Sequence, residues 1–297
     1  MAALVGEQDA GVTGEERVAI ASQLLLSSPP GEIAEVLADL RVLCGEVLGE
    51  DVLRGVFRQY NNQSGQVVVA GEGAQQRGLI LDQSALLDSE HYMDFMANKV
   101  VKVDARRQVV VDAEAGAVAP VALSAELAER RSAVEARVQE YVQAQFVKGT
   151  AVANVVAQPD DGNLVVLISG EKLNLKNYWS GRWTTKLMVN VAKAKVTGVI
   201  KLRIHYFEDG NVQMTTDKAV LGAPIAFSDA DADSLGQAVA ACVADQESAV
   251  QDSLEEMYVN MSKETFKDMR RVLPITRQKM DWSGAQLQLS KGFAGAK

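Results

Sequence analysis

Hydrophobic residues recur at intervals of three and four near both ends of the chain and at intervals of two through its middle, which predicts helices flanking a sheet. Thr13 and Glu16 have capping-box spacing, and Val18, Ile20, Leu24 and Leu25 supply the apolar positions of a first helix. Ser27, Ser28, Pro29, Pro30 and Gly31 stop it. A second helix from Glu32 carries Ile33, Val36, Leu37, Leu40 and Leu43 on one face, and a shorter third covers 50–60. Three short helices with tight connections predict a small antiparallel bundle over 1–60. Between 61 and 120 the runs 67–70, 78–81 and 100–105 read as short strands of a small β region. Ser124 then caps a helix with Leu127, Val134, Val138, Tyr141 and Val142 on one side, ending near Gly149.

From Ala151 the alternation predicts five strands, 151–157, 163–169, 181–191, 195–208 and 211–218. Their links are short, with Pro159 to Gly162 in the first and Asp209 with Gly210 in the last, so an antiparallel meander is expected. In the fourth strand Val196, Gly198, Ile200, Leu202, Ile204 and Tyr206 share a face that needs an apolar cover. The expected cover is a long helix over 228–260 with Leu235, Val239, Val243, Val250, Leu254 and Met257 in a stripe. The fold class is therefore α+β, a two-layer unit of one sheet and one helix spanning 121–260 with its preceding helix. After Asn260 comes a basic, amphipathic segment, 261–297. There Phe266, Met269 and Leu273 oppose Lys263, Lys267, Arg270 and Arg271, and Pro274 ends a short helix.

Charge sharpens this picture at one place. The chain carries a net charge of -9, yet 262–297 holds eight Lys or Arg and three acids, a local balance of +5. A chain this acidic is a poor general nucleic-acid binder, whereas the basic end suits an acidic partner. With 47% hydrophobic residues the chain can bury a large core, no run suits a membrane span, and the acidic N-terminus lacks a signal-peptide pattern, so a cytoplasmic location is expected. Cys44 and Cys242 read as buried thiols.

Candidate chemistry is sparse. VVVAGEGAQQ at 67–76 has two glycines spaced as in a dinucleotide-binding turn, but Gln76 stands where a third is needed and no amphipathic helix follows, so it reads as a loop. His205 reads as a partly buried structural histidine and His91 as a surface one. Asp229, Asp231 and Asp233 open a helix, where negative charge suits the helix dipole better than it indicates a metal. No catalytic group, cofactor or metal site is called for.

Three separated stretches carry a resemblance to a known family. NYWSGRWTTKLMVN at 177–190, followed by VTGVIKLRIHYFEDGNVQM at 196–214, closely resembles the signature region of the F-actin capping protein alpha subunit family. SSPPGEIAEVLADLRVLC resembles that family's N-terminal helices and TFKDMRRVLPITRQKMDW its C-terminal arm; beyond Trp282 the pattern departs from it. The resemblance implies a heterodimer with a similar β subunit, the two sheets joined into one. It further implies binding to the barbed end of the actin filament by the C-terminal arm, which blocks addition and loss of actin subunits in the cytoskeleton. Lys267, Arg271 and Arg277 fall on the family's basic actin contacts. The same heterodimer could instead serve as a scaffold in a dynactin-like or ciliary assembly, and regulators of capping are further implied partners. Trp179, Gly181, Arg182 and Trp183 read as residues of fold and dimer architecture, since large aromatic side chains near a strand start anchor packing.

Overall fold

The structure, a computed structural model, describes residues 13–45, 48–111, 118–208, 211–228 and 231–260. The chain divides into two compact units, Met1–Val250 and Gln251–Lys297. The first begins with α1 (Gly14–Leu26), α2 (Ile33–Cys44) and α3 (Glu50–Ser64). The capping box forms as expected, with the Thr13 hydroxyl accepting from the Glu16 amide and the Glu16 carboxylate accepting from the Thr13 amide at 2.8 Å. Leu25, Leu37, Leu40, Leu53 and Phe57 make the bundle core. Three expected stripe residues are not in it. Ile20 and Leu24 are about half exposed and Leu43 is 78% exposed, because each helix turns only one side to a three-helix core.

The segment read as three short strands contains five among its described residues. β1 (Val67–Ala70) and β2 (Arg77–Ile80) form a hairpin, while β3 (His91–Asp94), β4 (Lys99–Asp104) and β5 (Val109–Val111) form a second small sheet. The glycine pair of 71 and 73 lies in the β1–β2 turn at φ +85° and +53°, a loop as expected and not the mouth of a nucleotide site. The side chain of Asn61 joins α3 to this region, donating to the Ala105 carbonyl and accepting from Gln108, both at 2.8 Å.

After α4 (Ala125–Gln145) the meander appears in full: β6 (Ala151–Gln158), β7 (Asn163–Asn174), β8 (Trp179–Asn190), β9 (Lys195–Tyr206) and β10 (Val212–Pro224). All neighbours are antiparallel and the spatial order is the chain order. Asp209 and Gly210, the expected β9–β10 turn pair, lie outside the described residues. α5 (Ala232–Asn260) closes the first unit with its residues up to Val250.

The two-layer expectation needs correction, because the inner part of the sheet, around β7, is covered on both faces. β7 is buried at every residue from Asn163 to Gly170. One face packs on helices, and there are two of them. Glu247 of α5 accepts from the Trp183 indole at 3.0 Å, and Tyr141 of α4 donates to the same carboxylate at 2.7 Å. α4 and α5 cross closely, since a Cβ on Gly236 would meet the Ala133 carbonyl oxygen at 2.8 Å. The opposite face carries the small β region, where Val68, Leu79, Tyr92 and Val103 pack on Val156, Val165 and Leu167. The long helix supplies its stripe only in part. Leu235, Val239, Val243 and Val250 are buried, whereas Leu254 is half-buried and Met257 exposed.

Gly198 is held at φ +155° where a Cβ would lie 2.1 Å from the Lys186 carbonyl oxygen, so the β8–β9 ladder requires glycine there.

On the helix-bearing side Arg131 and Glu135 of α4 form a buried ion pair, and the Glu135 carboxylate also meets the Val155 amide at 3.4 Å on the edge strand β6. Burial outweighs the attraction of Arg131 and pushes the Glu135 carboxyl above its ordinary value. A pair of this kind contributes little net stability but is costly to break. Glu135→Leu alone is expected to lower stability by about 3–5 kcal/mol, while Arg131→Met with Glu135→Leu should lie near wild type or above it. Thermal melts of the three proteins decide this, and a double variant as damaged as the single one would contradict it.

Candidate functional site

The two edges of the main sheet are managed differently. β6 lies under α4, and Asn154 on it accepts from the Ile80 amide at 2.7 Å, so its edge is covered by the chain itself. β10 pairs with β9 alone, and no other described strand takes its outer side. Thirteen residues of edge are thus open, ending in a bulge between Leu221 and Ala223, with Gly222 at φ +82° and Leu221 91% exposed. Ile204, Tyr206 and Val212 beside it share the helix-bearing face and are exposed as well. Natural sheets seldom leave a long apolar-flanked edge bare.

The other face of β7–β9 is polar, and its side chains find partners in loops of the N-terminal region and in Glu171 of β7 itself. Glu32, the residue before α2, is buried with its carboxylate 2.8 Å from His205 Nδ1, and the Ser180 hydroxyl donates to the same carboxylate at 2.8 Å. The His205 ring stacks on Phe207, and its Nε2 is buried without a partner among the described residues. An orphaned N–H would be costlier than a bare acceptor nitrogen, so the geometry assigns the proton to Nδ1, which donates to Glu32. Arg182 is 3% exposed and spans the layers, with Nε on Glu171 at 3.1 Å and Nη2 on the Gln66 side chain at 2.9 Å. Ser169 donates to the Gly65 carbonyl at 2.7 Å, and Lys186 donates to both Asp82 oxygens at 2.7 and 2.8 Å. Tyr60, beside Arg182 and Arg203, has its hydroxyl pKa raised by burial against the pull of those two cations. Tyr92 is pushed up to about 12 by burial and donates to Asn62 at 2.7 Å.

These contacts place the residues singled out from sequence. His205 is a buried structural histidine, as expected. His91 corrects the surface reading: its side chain is 13% exposed and bonded to Asp88, because Tyr92 beside it drives β3 into the core. Cys242 is buried and its thiol pKa raised by burial, but Cys44 is exposed, at the end of α2 where the bundle stops. Asp231 caps α5 by accepting from the Asp233 amide at 2.9 Å, while Asp233 itself takes a two-pronged bond from Arg137 that lowers its pKa; Asp229 lies outside the described residues. Arg182 and Trp183 act in packing, and Trp179 lies half-buried 5.6 Å beneath the Lys172 ammonium. Lys267, Arg271 and Arg277 lie outside the described residues. Glu32, Asp82, Glu171 and Gln66 were not singled out, and nothing local marks them; the PPGE turn was the nearest signal. Among the described residues no group of three or more His, Cys, Asp or Glu could hold a metal ion, and no helix is long and apolar enough to cross a membrane.

The sequence and the fold can then be set beside known proteins. A sequence model of the family described as F-actin capping protein alpha subunit matches residues 21–291. The match takes in 65–120 and continues past Trp282. An F-actin-capping protein subunit alpha from Caenorhabditis elegans is 32% identical over 93% of this chain and 96% of its own length. Proteins of the same description from Chaetomium thermophilum and Arabidopsis thaliana are each 28% identical, covering 96% and 93% of this chain and 100% and 91% of their own. Among solved structures, a homodimeric actin capping protein alpha subunit from Plasmodium berghei shares the fold, with a TM-score of 0.71 at 20% identity over 89% of this chain and 99% of that one.

The seam yields its own test. Removing His205 strands a buried carboxylate with only Ser180, so His205→Ala is expected to cost about 3–5 kcal/mol. Because Glu32 is then already unpaired, adding Glu32→Gln should cost little more, giving a coupling above about 1.5 kcal/mol in a double-mutant cycle. Additive losses would show that the pair is not the tie described.

Proposed function

The chain belongs to the F-actin capping protein alpha subunit family, and on that premise we propose that it is one half of a heterodimeric cap on the barbed end of the actin filament. The observation that carries the reading is the open β10 edge flanked by Ile204, Tyr206 and Val212, in a chain whose every other strand is paired or covered among the described residues. A β subunit of like fold would extend the sheet across that edge and bury the exposed apolar side chains. Sheet extension satisfies the ladder's outward amides and carbonyls in the way a missing strand would.

Capping itself is assigned to the arm, through Lys267, Arg271 and Arg277. The family match extends through all three positions and 262–297 carries the +5 balance. Their positive charge would speed encounter with an acidic barbed-end surface, and desolvated contacts would slow release. The action is steric: the bound pair covers the surface an incoming actin subunit needs, so no catalytic group or cofactor is involved. It operates in the cytoplasm, on the cytoskeleton.

Two outcomes are expected. Expressed alone, the chain should aggregate, and it should become soluble on coexpression with its β subunit; obligate partners often lack a stable lone state. A monodisperse lone chain with a cooperative melt would count against the heterodimer. In elongation from filament seeds, the copurified pair should stop growth, while Lys267→Glu, Arg271→Glu and Arg277→Glu together weaken capping by several orders of magnitude and leave assembly intact. The size follows from roughly 2–5 kcal/mol per lost charge contact at about 1.4 kcal/mol per tenfold. Undiminished capping by the folded triple variant would remove the arm from the mechanism.

A further inference from the structure

A cleft of about 740 Å³ opens on the polar face of the sheet, between the outer side of α3 and strands β8 and β9. Four cations line it: Arg58 on α3, Lys186 on β8, and Lys201 and Arg203 on β9. Two are occupied, Lys186 by Asp82 and Arg58 by the Ser89 carbonyl at 3.2 Å. Lys201 and Arg203 meet no carboxylate within ion-pair distance among the described residues, and Asp217, which faces Lys201 across the β9–β10 ladder, is exposed and equally without an ion pair. A positive cleft in a chain of net charge -9 is the reverse of what composition would place there.

Its position gives it a use. Lys201 pairs in register with Asp217 and Arg203 with Thr215, so both cations lie one strand in from the open edge. Strands are spaced about 4.8 Å apart, which puts a first added strand on β10 within roughly 10 Å of the row. A pairing subunit of like fold would bring its own layer beneath the sheet and against the cleft. In a two-fold dimer of this chain, the same basic row would return across the axis three strand spacings away, roughly 14 Å, where like charges oppose pairing at low salt.

We propose that the cleft receives acidic side chains of the pairing subunit, and that this charge match makes the chain choose an acidic partner over a second copy of itself. The inference rests on the heterodimer reading above. Discrimination of this sort comes as much from repelling the wrong partner as from attracting the right one.

The test uses the full chain coexpressed with its capping protein β subunit, with subunit dissociation followed by exchange of a labelled chain. Lys201→Glu with Arg203→Glu should weaken pairing by about 100-fold and flatten its dependence on salt, while Lys148→Glu with Lys193→Glu, an equal change of charge elsewhere, should not alter it. If the double reversal cannot be purified, Lys201→Ala with Arg203→Ala should still speed exchange at least tenfold. Unchanged exchange in the Glu or Ala pair overturns this inference alone. A wild-type chain that forms a stable homodimer at low salt overturns it too, and a wild type that pairs with nothing takes the heterodimer reading down with it. Inorganic tripolyphosphate that stabilises the assembled pair but not its double reversal would show the cleft open to a soluble anion, and would overturn the assignment to the pairing subunit.

Discussion

Burial of one sheet on both faces governs the rest of this molecule. A strand whose two sides are both removed from water can carry a polar side chain only where another element supplies its partner. The helix-bearing face meets that condition by being largely apolar, and its two buried acids are both satisfied, Glu247 by Tyr141, Trp183 and Thr185 and Glu135 by Arg131. The opposite face meets it by matching donors with acceptors. Glu32, Asp82 and Gln66 are presented from the N-terminal region to His205, Lys186 and Arg182, so the two halves dock in one register.

Much of the fold was legible because it is locally written. The five-strand meander shows itself through alternation and through turn residues such as Pro159 to Gly162, and each hairpin partner lies close in sequence. The capping box and the Ser124 cap are equally local. The second covering layer was also in plain view: the runs VANVVA and NLVVLIS do not alternate cleanly, as a half-buried strand would, and unbroken apolar runs mark strands buried on both sides. The weight given to Leu43 and Met257 was misplaced, since periodicity names a face without saying where along the helix its cover ends.

The polar seam was not legible at all. Its partners stand 104 residues apart for Lys186 and Asp82 and 173 apart for His205 and Glu32, and no period links them. Only their residue types hinted at anything, and types alone do not name partners. The basic arm is the converse case: composition and family resemblance made Lys267, Arg271 and Arg277 conspicuous, though no fold-level pattern constrains them.

The separation between Glu32 and His205 also sets an order of events during synthesis. A ribosome adding about 5–20 residues per second needs roughly 9 to 35 s to travel the intervening 173 residues. For most of that interval the three helices are already made but Glu32 is still hydrated, since Ser180 is added only 148 residues after it and His205 last of all. The meander, built from neighbouring hairpins, closes its own ladder quickly once made, whereas docking of the two halves must wait and must strip water from several charges at once. Assembly of this chain therefore ends in a late desolvation step, and the nascent bundle is the piece that a chaperone would meet waiting.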